Sequence, residues 1–168
     1  MEKLQSLTQI NLDDLVSSFG WQNQPFLARA LRRMFRQPAQ TFANIMLEFD
    51  SAIGERGLAE AARLTQRRFV RGVRVFGSER LPASPFLALS NHPGMTDTLA
   101  LFAALNRPDL KIIALDRPFL TALPNLSQQL FFVRDDPALR MKLVRQVSGH
   151  LRGGGSALTF PAGEIEPD

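Results

Sequence analysis

Cysteine is absent from the 168 residues of the chain, which excludes disulfides, thiolate metal sites and cysteine nucleophiles together. Histidine is scarce as well. The two histidines, His92 and His150, have no second histidine or glutamate at the short spacings typical of zinc ligands. We therefore expect no metal site, and we expect His150, near the end of a predicted helix, to be an exposed capping cation.

Long apolar runs and several familiar motifs are also missing. No stretch of 18 or more apolar residues occurs, so a transmembrane helix is not expected. The sequence does not open with a basic stretch followed by an apolar core and a small-residue cleavage site, so a secretory signal is not expected either. The Gly-x-Ser-x-Gly motif of serine hydrolases is absent, which argues against a serine esterase. The glycine run at residues 152–156 lacks the Lys-Ser/Thr of a phosphate loop, and we interpret it as a helix stop and a turn. Despite a net charge of +4, no nucleic-acid-binding motif appears, and nucleic acid is not an expected partner.

The apolar pattern predicts an α/β fold. A hydrophobic content of 45% is enough for a substantial core without metal or disulfide staples. The pattern predicts a helical N-terminal region over residues 1–70, then a mixed β-sheet flanked by helices over residues 71–168. Strands are expected near 72–77, 86–90, 111–115, 130–133 and 157–160, and helices near 97–105 and 137–151.

Within the N-terminal region, helical spacing predicts four helices. The first is expected to begin at Asn11 and to end near Gly20. Two further helices are expected on either side of Pro38, because proline breaks a helix interior. An alanine-rich helix should follow from about residue 57 to residue 70.

The segment from Asn91 to Asp97 is the most informative part of the chain. It follows a predicted buried strand, so His92 should lie at the carboxyl end of a strand, where open α/β sheets place their chemistry. Residues five apart on one helix do not face each other. Pro93 and Gly94 supply a break, which lets Asp97 fold back towards the ring of His92.

Such a pair would form a catalytic base. A carboxylate on one ring nitrogen fixes the tautomer and leaves the other nitrogen free to take a proton from a hydroxyl. The alternative is that His92 is an ordinary loop residue whose polar atoms are satisfied beside a Pro-Gly turn. The spacing alone leaves both interpretations open.

The pattern Asn91-His92-x-x-x-x-Asp97 resembles the signature of the glycerophospholipid acyltransferases, the family that includes 1-acylglycerol-3-phosphate acyltransferase. The resemblance implies that His92 is the general base for the acceptor hydroxyl and that Asp97 orients it. It also implies that Asn91, Pro93 and Gly94 support the turn between them.

Two later blocks follow in the order of that family, and the resemblance covers approximately residues 70–166. Residues 131–134 are similar to the second block, an apolar strand ending in an arginine that contacts the acceptor's phosphate, which implies this role for Arg134. Residues 160–164 are similar to the third block, which shapes the acceptor side. The residues that inherit this second role are Phe160, Pro161, Gly163 and Glu164.

The third block departs from the family pattern. Ala162 stands where the family has an acceptor-contacting glutamate, and Ile165 and Glu166 stand where a basic residue is expected. Our hypothesis is that Glu164, in the same turn, takes over part of the role vacated at Ala162. Family domains also continue with further strands and a fourth block, so the resemblance implies that the α/β core at 71–168 is incomplete.

The resemblance implies an O-acyltransferase of the 1-acylglycerol-3-phosphate acyltransferase type. Such an enzyme moves a fatty acyl group from an acyl-CoA or acyl carrier protein thioester to the hydroxyl of a lysophospholipid or similar glycerolipid. It uses His-Asp base catalysis and needs no cofactor. The alternative is a non-catalytic lipid-binding relative of the same fold, which the altered third block favours.

Residues 26–36 predict a basic amphipathic helix. Such a helix can lie in a headgroup layer, with its arginines near anionic lipid phosphates. The alternative is ordinary core packing with a solvated arginine face. We expect a cytoplasmic protein, peripheral on the inner face of the membrane. Its expected membrane contacts are Phe26, Arg29, Arg32, Arg33, Phe35 and Arg36.

Overall fold

The computed structural model describes residues 1–91 and 94–161, except for the side chain of Met95. As expected, a helical N-terminal region precedes a sheet flanked by helices. The helices are α1 (Glu2–Ser18), α2 (Pro25–Arg56), α3 (Leu58–Gln66), α4 (Met95–Leu105), α5 (Pro118–Thr121), α6 (Pro124–Ser127) and α7 (Pro137–Arg152). The strands are β1 (Leu87–Leu89), β2 (Leu110–Leu115), β3 (Leu130–Val133) and β4 (Ser156–Thr159).

The four described strands form one sheet in the order β1-β4-β2-β3. Every neighbouring pair is parallel, so the described part of the sheet is wholly parallel where we expected a mixed one. The strand sequences explain this. β2 and β3 read Leu-Lys-Ile-Ile-Ala-Leu and Leu-Phe-Phe-Val, and such nearly continuous apolar runs suit parallel strands covered on both faces.

The path of the chain decides which helix covers which face. The connection from β1 through α4 to β2 crosses the sheet in one direction, and the connection from β3 through α7 to β4 crosses it in the other. Because such crossovers are right-handed, α4 and α7 lie on opposite faces. α4 packs on α3, which places the helical region on the α4 face, while α7 contacts β3 and β4.

The main core lies between the sheet and helices α2 to α4, so the N-terminal region and the sheet share it. Asp50 of α2 is buried in this layer and accepts hydrogen bonds from the Leu126 amide (2.8 Å) and from Asn125 Nδ2 (3.2 Å). This carboxylate ties α6 to α2. The buried core side chains are Leu7, Ala43, Met46, Phe49, Ile53, Leu58, Ala61, Ala62, Leu99, Phe102, Leu110, Ile112, Leu123, Leu126 and Leu158.

Helix α2 continues through Pro38, so our expectation of two helices separated there is wrong. The proline removes one amide donor, in this case towards the carbonyl of Met34. The apolar face nevertheless continues on both sides of it, with Leu31 buried before the proline and Ala43 after it. Packing of both halves compensates for the lost hydrogen bond, because tertiary contacts dominate helix stability in proteins.

Helix α1 begins at Glu2, so the expected start at Asn11 is wrong, whereas the expected end near Gly20 is confirmed. Leu7 and Val16 are both 1% exposed, so the buried face extends well before Asn11. The helix therefore starts where this face starts. Among the described residues, no helix is both long enough and apolar enough to cross a bilayer.

The segment at residues 72–77 is not a strand in the structure, so that expectation is also wrong. Its alternation places Val73 and Val75 on one side, but these side chains are 42% and 50% exposed. Strand formation gains its stability from packing against neighbours. The exposure of these two valines shows that the described residues do not bury them, so a strand here would gain little stability from packing.

His150 contributes to packing instead of being an exposed cap, so that expectation is wrong too. Its Nε2 lies 2.9 Å from the carbonyl oxygen of Asp109 and 3.1 Å from that of Ser156. Carbonyl oxygens only accept, so Nε2 carries the ring proton and donates to both. The ring also packs edge-on against Phe131, with 5.6 Å between centroids. His150 thus joins α7 to β2, β3 and β4.

Arg107 attaches the loop before β1 to the edge of the sheet at which the strands begin. Arg107 Nε donates to Asp109 Oδ1 (3.0 Å), and another guanidinium nitrogen donates to the carbonyl of Ala83 (3.1 Å). The same guanidinium lies 5.4 Å above the ring of Phe86. The hydrogen bond from Arg107 lowers the pKa of Asp109 below its ordinary value, so this carboxylate stays charged in the neutral range.

The glycine run after α7 is a helix stop and a turn, as interpreted from the sequence. α7 ends at Arg152 and β4 begins at Ser156, and Gly154 has φ +95°. Gly155 has a different constraint, because a Cβ placed there would lie 2.1 Å from Cε1 of the His150 ring. The glycine therefore makes room for the histidine.

We expect Gly155→Ala to lower the free energy of unfolding by about 2 kcal/mol, because the methyl group must displace the His150 ring from its two carbonyl acceptors. Urea denaturation measures the change. Gly149→Ala is the matched control, since nothing lies within 4 Å of a Cβ at that helical position, and it should stabilise the protein slightly. Equal stability of the two variants would contradict the packing role of His150.

Candidate active site

The carboxyl ends of the parallel strands meet at one edge of the sheet. Asn91 lies just beyond β1, Phe160 directly follows β4, Asp116 follows β2, and Arg134 follows β3. All three sequence blocks therefore converge on this edge, as the parallel arrangement requires. In open α/β sheets this edge is where ligands bind.

The first and third blocks are direct neighbours. β1 pairs with β4 in a register that aligns Leu89 with Thr159, and the Ser90 amide donates to the Thr159 carbonyl (3.1 Å) just beyond the ladder. Asn91 and Phe160, which begin the first and third blocks, therefore follow the ends of two neighbouring strands. About 70 residues of sequence separate these two segments.

Four of the predicted site residues lie outside the described residues. They are His92 and Pro93 in the first block and Gly163 and Glu164 in the third. The roles that the sequence assigns to these side chains stay predictions.

Asp97 is the third residue of α4, and its carboxylate faces the preceding turn. A Cβ built on Gly94 would lie 3.4 Å from Asp97 Oδ2, so this oxygen reaches back to the residue before the helix. Gly94 itself has φ −178°, an extended backbone that any residue adopts. The first block therefore does not need the conformational freedom of glycine at this position.

The Oδ2 atom of Asp97 is buried, and within residues 1–91 and 94–161 no group donates a hydrogen bond to it. A buried carboxylate oxygen without a donor is costly. The negative charge in the first turn of α4 interacts favourably with the helix dipole, but this attraction does not replace a hydrogen bond. The carboxylate thus offers an acceptor at the turn between β1 and α4.

Arg134 is held by an acid that the sequence analysis did not select. Its Nε donates to Asp116 Oδ2 at 2.6 Å, and the Arg134 side chain remains 55% exposed. Because Asp116 follows β2, this contact draws the guanidinium from β3 towards the middle of the sheet. The terminal nitrogens of Arg134 have no hydrogen-bond acceptor among the described residues, so they are available to an anion.

The sheet order sets the spacing of the site. β1 and β3 are three strands apart, which corresponds to about 14 Å at the usual spacing of neighbouring strands. Anything that contacts both the turn after β1 and Arg134 must pass over the ends of β4 and β2. Asp116 and Phe160 are the residues that follow those two strands.

The described residues of the third block have different surroundings. Phe160 is half-buried and packs against the main core, whereas Pro161 is exposed. Phe160 therefore anchors the start of this block in the core.

Residues 26–36 form the first part of α2, as expected for an amphipathic helix. Leu31 is buried, and Phe35 is half-buried against Val16 and Ala28, so these apolar side chains serve helix packing. Phe26 is 81% exposed. Three of the four arginines of this segment are exposed, and Arg32 is half-buried and pairs with Asp13 of α1.

The family of the chain follows from one comparison. The family model described as "Acyltransferase" matches residues 72–167, which is more than half of the chain. The chain belongs to the acyltransferase family. This membership agrees with the glycerophospholipid acyltransferase signature at residues 91–97 and supports a general acyltransferase function. No curated protein and no solved structure matches the chain.

Asp116 is the site residue that sequence reasoning missed. The strand at 111–115 was predicted from the sequence. In a parallel sheet, Asp116, the polar residue directly after this strand, must lie at the carboxyl edge. The ion pair with Arg134 could not be anticipated, because it requires β2 and β3 to be neighbours in register.

We expect Asp97→Asn to change the free energy of unfolding by less than about 1 kcal/mol, because the lost helix-dipole attraction is small and the amide oxygen of an asparagine can still accept a hydrogen bond at this position. Asp50→Asn makes the same chemical change at a buried carboxylate that has two donors, and it should cost about 2 kcal/mol or more. Urea denaturation of both variants measures the difference. A cost at Asp97 as large as that at Asp50 would show that Asp97 has a mainly structural role.

Proposed function

We propose that this acyltransferase moves a fatty acyl group from a thioester donor to the hydroxyl of a lysophospholipid or similar glycerolipid. The observation that carries the proposal is the buried carboxylate of Asp97. It faces Gly94, which follows His92 by two residues in the sequence, at the edge of the sheet where the three sequence blocks converge. A carboxylate in this position suits an orienting role towards a histidine base.

In the proposed reaction His92 removes the proton from the acceptor hydroxyl. The oxygen attacks the thioester carbonyl carbon, and a tetrahedral intermediate forms. The carbon–sulfur bond then breaks, the acyl group remains on the acceptor oxygen as an ester, and the thiol sulfur takes a proton from the imidazolium. A base of this kind activates the acceptor directly, so no acyl-enzyme forms and no metal or cofactor is needed.

Asp97 orients the base in this proposal. Its carboxylate accepts the hydrogen bond from one ring nitrogen of His92, which leaves the other nitrogen as the base and stabilises the imidazolium that forms. That hydrogen bond would also supply the donor that Oδ2 lacks among the described residues. The first turn of α4 holds the carboxylate in place.

Arg134 binds the phosphate of the acceptor in this proposal. Asp116 occupies its Nε and leaves the terminal nitrogens for the phosphate oxygens, an interaction for which a guanidinium is well suited. Pro161, Gly163 and Glu164 shape the acceptor side next to the turn after β1, with Phe160 as their anchor. The donor is acyl-CoA or an acyl carrier protein thioester.

We expect His92→Ala to lower kcat about a thousandfold, because the general base is lost. Release of free thiol from an acyl thioester, measured with several lysolipids, reports turnover. Asp97→Asn should also lower kcat, while His150→Gln, at the chain's other histidine, should retain its activity per folded molecule. Circular dichroism checks folding.

Two outcomes would overturn the proposal. One is full acyl transfer by a folded His92→Ala protein. The other is a parent protein that binds lysolipid vesicles but releases no thiol with any acceptor, which would favour the non-catalytic lipid-binding relative.

We expect Asp116→Asn to raise KM for a phosphorylated acceptor about fivefold with kcat nearly unchanged, because Arg134 loses the partner that orients it. Asp135→Asn is the matched control, since Asp135 neighbours Arg134 in sequence but pairs with Arg140. Steady-state kinetics with varied acceptor measure both parameters. An equal KM in the two variants would argue against a positioning role for Asp116.

A further inference from the structure

A groove of about 520 Å³ lies between α1 and α2. Four arginines of α2 line it, and none of the described residues lining it is acidic. A concentration of one charge in a concave surface attracts ligands of the opposite charge. The lining residues are Leu4, Gln5, Thr8, Gln9, Leu12, Arg29, Arg32, Arg33, Arg36 and Gln40.

Three of the four arginines have no acidic partner. Arg32 pairs with Asp13 of α1 at 2.8 Å, whereas no described carboxylate lies within ion-pair distance of Arg29, Arg33 or Arg36. These three arginines are exposed. Their charges are therefore uncompensated by the described residues and repel one another, which an anion in the groove would relieve.

The spacing of these arginines places them on one side of α2. Arg29, Arg33 and Arg36 follow one another at intervals of four and three residues, so they share a face and extend over about 10 Å of helix. A row of this length fits several separate phosphate groups better than one small anion.

Exposed apolar side chains flank the arginine row. Phe26, in the first turn of α2, is 81% exposed, and Met34 is 66% exposed. The opposite face of the helix is buried through Ala28 and Leu31, so the helix is firmly attached to the protein. Arginines combined with exposed phenylalanine and methionine on the outer side are typical of a helix that lies in a lipid headgroup layer.

We propose that the α1–α2 groove binds the phosphate groups of anionic phospholipids and docks the protein on a bilayer surface. Arg29, Arg33 and Arg36 contact the phosphates, while Phe26 and Met34 enter the apolar boundary. Phe35 takes no part because it packs within the protein. The choice of lipid over another polyanion rests partly on the proposed glycerolipid acceptor, which is drawn from the same bilayer.

Vesicle flotation tests the groove. We expect the full chain to float with vesicles of phosphatidylcholine and phosphatidylglycerol and to remain unbound with phosphatidylcholine alone. The triple variant Arg29→Gln/Arg33→Gln/Arg36→Gln should reduce the partition coefficient about a hundredfold, which corresponds to about 1 kcal/mol for each arginine. The single reversal Arg33→Glu should act in the same direction if the triple variant folds poorly.

The matched control is the triple variant Arg67→Gln/Arg71→Gln/Arg74→Gln. It removes the same charge from exposed arginines that lie outside the groove and form no ion pair with the described residues. It should retain most of the binding. If both triple variants lose vesicle binding equally, the proposal of a binding groove is wrong, and the overall positive charge of the protein explains the attraction.

Two further arms identify the ligand. Phe26→Ser should weaken flotation about tenfold, and inorganic phosphate should compete only weakly. If the groove variant loses binding to a purified acidic acyl carrier protein but floats like the parent, the lipid proposal is wrong. Flotation needs no turnover, so His92→Ala should float normally, and a failure of the catalytic proposal remains distinguishable from a failure of this one.

Discussion

The insertion of β4 between β1 and β2 is the constraint on which the rest of the structure depends. Within the described sheet, β1 has no strand neighbour other than β4, and it has only three residues, of which Leu87 and Leu89 are 43% and 66% exposed. The turn after β1 is therefore held by its ladder to a strand about 70 residues later. Ala157 and Leu158 are fully buried, so packing of β4 in the core secures the position of the first block.

Two charged groups, those of Asp97 and Arg134, lie at the carboxyl edge of the sheet. The carboxylate of Asp97 faces the turn beyond β1, and the guanidinium of Arg134 leans over the end of β2 towards it. In the proposed function, an anionic acceptor bound to Arg134 would reach the first block across the end of β4. The arginine groove between α1 and α2 adds a second positive surface.

Much of this arrangement follows from local sequence, and the remainder depends on distant contacts. The runs near 86–90, 111–115, 130–133 and 157–160 are strands because apolar residues are concentrated there, and the glycines after α7 end that helix as expected. Pro38 was misjudged because buried residues on both sides keep α2 continuous. His150 and Asp116 were missed for a related reason, since their partners belong to other strands and only the parallel sheet brings them together.

The most direct test of the account is proton and nitrogen NMR of the imidazole rings, which is tractable because the chain has only two histidines. The account predicts that His92 has a downfield ring N–H signal typical of a hydrogen bond to a carboxylate, and that Asp97→Asn removes it while the His150 signals are unchanged. A His92 spectrum that is identical in the parent protein and in Asp97→Asn would contradict the account.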